Sequence, residues 1–276
     1  MTMTFSLHES FEPNSAFEYM ESFGRTRQTV PPASDDRYHL ITEKLSVPHS
    51  ADLVERPRLM SLIRRSKKQF PATLVSGRAG TGKTTLAAAF ARECPKVCWY
   101  SVQSTDTDWG IFARYFSASL LGPGSDDIYR VPNGGVSFRV TQNEIARFLI
   151  RNFTQTSIFP IGEPALIVLD DIHHIFDTAW FDEFFNLLLY SLPSEAHLLL
   201  LCRSKPPSPL MRLRSKQMLN LLDEKVIAFN PSETEILYKK MGLPENFAEL
   251  ANQECFGRIA KLLEFADDAS TTLPSA

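Results

Sequence analysis

Gly77-Arg78-Ala79-Gly80-Thr81-Gly82-Lys83-Thr84 reads G-x-x-x-x-G-K-[ST], the phosphate-binding P-loop. The run before it, Pro71-Ala72-Thr73-Leu74-Val75-Ser76, is short, apolar and partly β-branched, which reads as a buried strand. Behind it, Thr85-Leu86-Ala87-Ala88-Ala89-Phe90-Ala91-Arg92 is rich in strong helix formers. The motif therefore stands in the strand–loop–helix setting that its chemistry requires. Glycines let the backbone curl so that successive N–H groups converge on phosphate oxygens, and the helix N-terminus adds partial positive charge. Gly77, Gly80, Thr81, Gly82, Lys83, Thr84 and Thr85 are the candidate nucleotide contacts. Lys83 is placed to reach the β- and γ-phosphates, and the Thr84 hydroxyl to ligate Mg²⁺.

The second strong signal is Ala165-Leu166-Ile167-Val168-Leu169-Asp170-Asp171. Continuous apolar residues ending in two acids read as a buried parallel strand whose carboxyl end delivers carboxylates to the phosphate site. A P-loop needs such a metal partner. Asp170 is the candidate Mg²⁺ ligand, directly or through water, and Asp171 the residue that orients or deprotonates an attacking water. Ala196-His197-Leu198-Leu199-Leu200-Leu201-Cys202-Arg203 is another buried strand, ending in an arginine. Arg203 could touch a γ-phosphate or be an ordinary surface arginine, and the strand alone leaves both open.

Further strands are expected at Lys96–Val102 and Lys225–Phe229. Thr105-Asp106-Thr107-Asp108 opens a helix through Phe112, Phe116 and Leu120 with aspartates placed to cap it. Thr141 and Glu144 have capping-box spacing before Ile145, Phe148 and Leu149. Trp180 to Tyr190 reads as an apolar helix with Asp177 as its cap. The stretch 122–135 reads as a long loop, and Ser204–Pro209, with three prolines, as irregular. Short helices are expected at about Ser232–Met241, Pro244–Cys255 and Gly257–Ala266. Strands alternating with helices imply an α/β fold, a three-layer sandwich with a parallel sheet. The acid-bearing strand is not the one following the P-loop helix, which points to the additional-strand division of P-loop NTPases, order 5-1-4-3-2. The expected division is a poorly ordered arm over 1–36, in which Phe11 to Phe23 could form a short amphipathic helix, a core over 37–230 and a small helical lid over 231–276.

Composition is that of an ordinary globular protein, 43% hydrophobic and 22% charged, with net charge −3. That charge offers no global attraction to nucleic acid or anionic membrane. From Arg56 to Lys68 there are six basic residues and no acid, which reads as a solvated helix face rather than a phosphate patch. A second basic stretch runs from Arg203 to Lys216. Without a recognition motif, neither makes DNA binding expected. Four cysteines (Cys94, Cys98, Cys202, Cys255) are too few and scattered for a disulfide framework or zinc site, and three of them, in or beside apolar stretches, read as small core residues. There is no basic n-region followed by an apolar core, and no uninterrupted apolar run of about 18 residues. A cytoplasmic protein is expected.

The chain also resembles a family. Lys44-Leu45-Ser46-Val47-Pro48, then Leu53-Val54-Glu55-Arg56-Pro57-Arg58-Leu59, then the P-loop are similar to the nucleotide-binding module of the maltose-regulon-activator branch of STAND NTPases. So are Trp99-Tyr100-Ser101-Val102 with Asp106 and Asp108, Leu169-Asp170-Asp171-Ile172-His173, and Leu201-Cys202-Arg203-Ser204-Lys205-Pro206-Pro207 followed by Leu213-Arg214. The likeness runs collinearly from about Leu40 to Leu263. It implies an ATP/ADP switch that works through a protein partner or self-assembly. It also implies that the segment at Leu53 to Arg58, Val54 among it, packs over adenine and that Arg203 is the sensor arginine. His173 matches a family histidine, read as structural. The family's lid presents a Gly-Trp-Pro-like turn, where this chain has Cys255-Phe256-Gly257-Arg258-Ile259. Relatives continue into winged-helix, repeat and helix-turn-helix parts for which this sequence has no room. Two readings follow: a slow Mg-ATP hydrolysing switch, or a nucleotide-stabilised interaction module that hydrolyses negligibly.

Overall fold

The P-loop joins strand β1 (Ala72–Ser76) to helix α2 (Lys83–Ala91), and everything else is arranged around that unit. The computed structural model describes residues 40–49, 54–122, 140–153, 159, 163–244 and 246–272, all within one compact unit, Tyr38–Ala276. The expected arm over 1–36 and most of the 122–135 loop lie outside these residues. Helix α1 (Pro57–Gln69) precedes β1, and β2 (Lys96–Ser101) follows α2. Then come α3 (Trp109–Leu121), α4 (Gln142–Phe153), β3 (Ala165–Asp170), α5 (Phe181–Ser191) and β4 (Ala196–Cys202). The chain continues through α6 (Ser208–Ser215), β5 (Leu219–Leu222) and the one-turn α7 (Glu224–Ile227). Three C-terminal helices close it: α8 (Pro231–Lys240), α9 (Asn246–Cys255) and α10 (Ile259–Thr272).

All five strands pair in parallel in the order β2-β3-β4-β1-β5, the expected order read from the other edge. Strand residues alternate between two cores, as a two-residue side-chain period demands. Leu166, Val168, Leu199 and Leu201 meet Leu59, Ile63, Leu86 and Phe90 of α1 and α2. Ile167, Leu169, Leu198 and Leu200 meet Phe112, Phe116, Phe148 and Phe184 of α3 to α5. With both faces covered, the strands show the continuous apolar runs seen in the sequence. A third, smaller core of Phe229, Leu237, Tyr238, Ala251, Cys255 and Leu262 belongs to the C-terminal helices. Among the described residues no helix is long and apolar enough to cross a membrane.

Four expectations need correction. The fifth strand is not Lys225–Phe229 but Leu219–Leu222, which pairs with β1. Asp223 accepts a hydrogen bond from the Val226 N–H (3.1 Å), capping a helical turn where the apolar run Val226-Ile227-Ala228 looked like a strand. The irregular stretch expected over Ser204–Pro209 ends earlier, at Pro207, because Pro209 sits in the first turn of α6, where its missing N–H costs nothing. Asp177 does not cap α5; Trp180 occupies that position without a side-chain cap. Finally, only Asp108 caps α3, accepting from Ile111 N–H at 3.1 Å. Asp106 is fully buried and paired with Lys44 at 2.7 Å. The Thr141–Glu144 capping box forms as expected, with Glu144 accepting from the Thr141 N–H at 2.7 Å.

Candidate nucleotide site

Gly80 and Gly82 take left-handed backbone, φ +73° and +84°, so the loop curls as only glycine allows without strain. At Gly80 a Cβ would also lie 2.5 Å from the Ala260 Cβ at the start of α10. The Ala260 N–H donates to the Gly80 carbonyl at 3.0 Å, so α10 rests directly on the loop. The loop's other side is held by Glu224, which accepts from the Arg78 N–H (3.0 Å) and pairs with its guanidinium (2.7 Å).

Lys83 opens α2 and points back into the loop, donating to the carbonyls of Gly77 (2.6 Å) and Arg78 (2.8 Å). Burial lowers its pKa, opposed by the charges of Asp171 and Asp170. Thr84 donates its hydroxyl to Asp170 Oδ2 at 2.8 Å, which brings the two candidate metal ligands into direct contact. Asp170 also accepts from the Asp171 N–H at 2.8 Å. Asp171 takes left-handed backbone, φ +56°, as the strand ends. Aspartate tolerates that conformation better than most residues. Its carboxylate is clasped by Arg203, with contacts of 2.8 and 2.5 Å, while His173 Nδ1 stands 3.8 Å away. Lys83 and Thr84 at the start of α2, Asp170 and Asp171 at the end of β3, and Arg203 at the end of β4 are thus gathered at one place. Thr81 is turned inward, donating to the Arg78 carbonyl (2.9 Å), and Gly77 lies behind the loop with its N–H on the Cys202 carbonyl (3.2 Å).

Beside the loop opens a cavity of about 810 Å³, within the range of small-molecule sites. Gly80, Gly82, Lys83, Thr84, Thr85 and Arg203 line it, together with the apolar Val54, Met60, Ala89, Phe229, Ile259 and Leu263. Val54 and Thr85 both line the cavity. Phe229, Ile259 and Leu263 were missed because they reach the cavity from beyond the core. Arg56 was read as part of a solvated run, yet it lies 4.0 Å over the Phe229 ring and donates to Glu233 at 2.9 Å. The curled glycines, the buried lysine and the Thr84–Asp170 contact fit a Mg²⁺-nucleotide.

Burial and the neighbouring Asp171 charge push the Asp170 pKa up to about 6 from 3.8. A raised carboxyl pKa means the folded state holds the proton more tightly. The associated stability is present below pH 4 and is lost as pH rises through 6. Asp170→Asn is therefore expected to stabilise the nucleotide-free protein by about 2 kcal/mol at pH 7.5 and not at pH 4. Chemical denaturation at both pH values checks this; a variant less stable at pH 7.5 would contradict it.

The family model described as AAA ATPase domain matches residues 55–210, more than half of the chain and all of the strands except β5. The chain belongs to the AAA ATPase domain family. Among curated AAA-domain relatives, it is 26% identical to the HTH-type transcriptional regulator MalT of Vibrio campbellii over 75% of this chain and 23% of that protein. It is 30% identical to MalT of Serratia proteamaculans over 71% of this chain and 21% of that protein. The chain thus spans under a quarter of the length of these relatives. Among solved structures, a STAND protein with a tetratricopeptide repeat sensor from Pyrococcus horikoshii superposes with TM-score 0.54 at 21% identity, over 80% of this chain and 30% of that one. A Walker-type ATPase of Pyrococcus abyssi gives TM-score 0.50 at 13% identity, over 80% of this chain and 69% of that one. Both share the fold.

Proposed function

We propose that this chain is an ATP-binding regulatory NTPase, a nucleotide-dependent switch with slow Mg-ATP hydrolysis in the cytoplasm. The observation that carries the reading is the convergence of Lys83, the Thr84–Asp170 contact and the Asp171–Arg203 pair beside a base-sized cavity. Residues 37–230 would form the nucleotide-binding core and 231–276 the lid. In this reading Lys83 leaves the Gly77 and Arg78 carbonyls for β- and γ-phosphate oxygens. Thr84 and Asp170 would hold Mg²⁺, which neutralises charge on those oxygens. Asp171 positions the attacking water and accepts its proton, and Arg203 senses the γ-phosphate. Since Arg203 is tied to Asp171 at 2.5 Å, a γ-phosphate competes for it and releases the carboxylate in the same step. The likeness to relatives named as transcriptional regulators supports a role for such a switch in signalling or transcription control, acting through a protein partner or self-assembly. Phosphate release under single turnover is expected to fall about 100-fold or more in Asp171→Asn, as for loss of a general base.

The same ion pair favours a second reading, in which Asp171 stays neutralised and the chain is a nucleotide-stabilised interaction module. Tight binding with phosphate release no faster than in Lys83→Ala would select it.

A further inference from the structure

Arg56 belongs to two structures at once. Its side chain lines the cavity, stacked with Phe229, which lines it too. The same guanidinium donates from Nη2 to the Ala228 carbonyl (2.9 Å) and to Glu233 Oε2 (2.9 Å). Glu233 is part of how α8 begins. It accepts from the Asn230 N–H (3.1 Å), and its own N–H donates to the Asn230 side chain (2.8 Å). This reciprocal cap fixes the first turn of the helix. Arg56 and Glu233 are each over 90% buried, a setting in which a charge pair holds its geometry tightly. The Arg56 Nε–H, the Arg58 Nε–H and Glu233 Oε1 are each buried without a hydrogen-bond partner, so the cluster has unspent donor and acceptor capacity.

Arg58 supplies an internal comparison. It grips the same groups, donating to the Val226 (2.8 Å) and Ala228 (2.9 Å) carbonyls and to Glu233 Oε2 (3.0 Å), but it does not line the cavity. The two arginines share the clamp, and of the two it is Arg56 that also lines the cavity. Only Arg56 can feel what occupies the cavity.

We propose that Arg56 is a positioning residue that couples a nucleotide base in the cavity to the first turn of α8 through Glu233. A planar base against the Arg56–Phe229 wall restricts the guanidinium, and with it the carboxylate that caps α8. This route differs from the direct contact of α10 with the P-loop through Ala260 and Gly80. The inference rests on the nucleotide reading above.

Hydrogen exchange with and without saturating Mg·ADP tests it, comparing peptides over 77–86 and 230–238 in wild type, Arg56→Lys and Arg58→Lys. In wild type both peptides are expected to slow, the α8 peptide by on the order of tenfold, a typical coupling between sites. In Arg56→Lys the P-loop peptide should still slow while the α8 response is lost, because lysine keeps the charge but not the planar fork. In Arg58→Lys both responses should persist. The coupling is overturned if the α8 response survives Arg56→Lys, if both variants lose it equally, or if wild type responds at the P-loop alone. Loss of both responses in Arg56→Lys would overturn it too, leaving Arg56 as a binding residue only. No response at either peptide in wild type would remove the nucleotide reading together with the coupling.

Discussion

Lys83→Ala is expected to weaken Mg·ATP binding by about 100-fold or more, since each lost charge-assisted hydrogen bond is worth roughly 1.5–3 kcal/mol. Without ligand, the Lys83 ammonium is satisfied by the Gly77 and Arg78 carbonyls at 2.6 and 2.8 Å. Binding therefore exchanges one set of short contacts for another. Replacing the residue also leaves those two carbonyls without their donor, so some loss of stability without nucleotide is expected as well. Calorimetric titration separates the two effects, because affinity falls steeply while the melting temperature shifts only modestly. Binding within threefold of wild type would show that phosphates do not enter this loop.

Lys44→Ala is expected to cost about 3–5 kcal/mol of stability, the range for breaking a buried ion pair from one side. Lys44 is 3% exposed and Asp106 fully buried, their atoms 2.7 Å apart. Asp106 further accepts from Tyr100 Oη (2.9 Å), the Gln103 N–H (2.9 Å) and Thr105 Oγ1 (3.0 Å). The Lys44 ammonium also lies 4.4 Å from the centre of the Tyr115 ring. This cluster pins the turn Thr42–Leu45 over the β2 end of the sheet. Removing the lysine leaves a carboxylate with three neutral donors and no counter-charge. The melting temperature should fall by on the order of 10 °C. Lys44→Met combined with Asp106→Asn should recover much of the loss, since no buried charge is then stranded. A single variant as stable as wild type would contradict the account.

Most of the site was legible because it is built from local signals. The P-loop is contiguous, and Asp170, Asp171 and Arg203 each end an apolar strand, so a parallel sheet must bring them to one edge. The fifth strand was misplaced because Leu219-Asn220-Leu221-Leu222 is short and interrupted by Asn220, while the apolar Val226-Ile227-Ala228 is turned into a helix by the Asp223 cap. The apolar part of the cavity lining was less legible. Phe229, Ile259 and Leu263 lie outside any motif and reach the site only through the fold of the C-terminal helices. Arg56 carried two signals: the resemblance put it in the segment over the base, while its basic run reads as solvated until Glu233, 177 residues away in sequence, supplies its partner. Asp106 misled in the same way, since an aspartate before a helix reads as a cap and only the position of Lys44 shows otherwise.

The most direct measurement is mass spectrometry of nucleotide released on denaturing the purified wild-type chain and Lys83→Ala in parallel. The expected result is ADP or ATP from wild type in near-stoichiometric amount and none from the variant. No nucleotide from either, together with no heat of binding when wild type is titrated with Mg·ATP, would contradict the account.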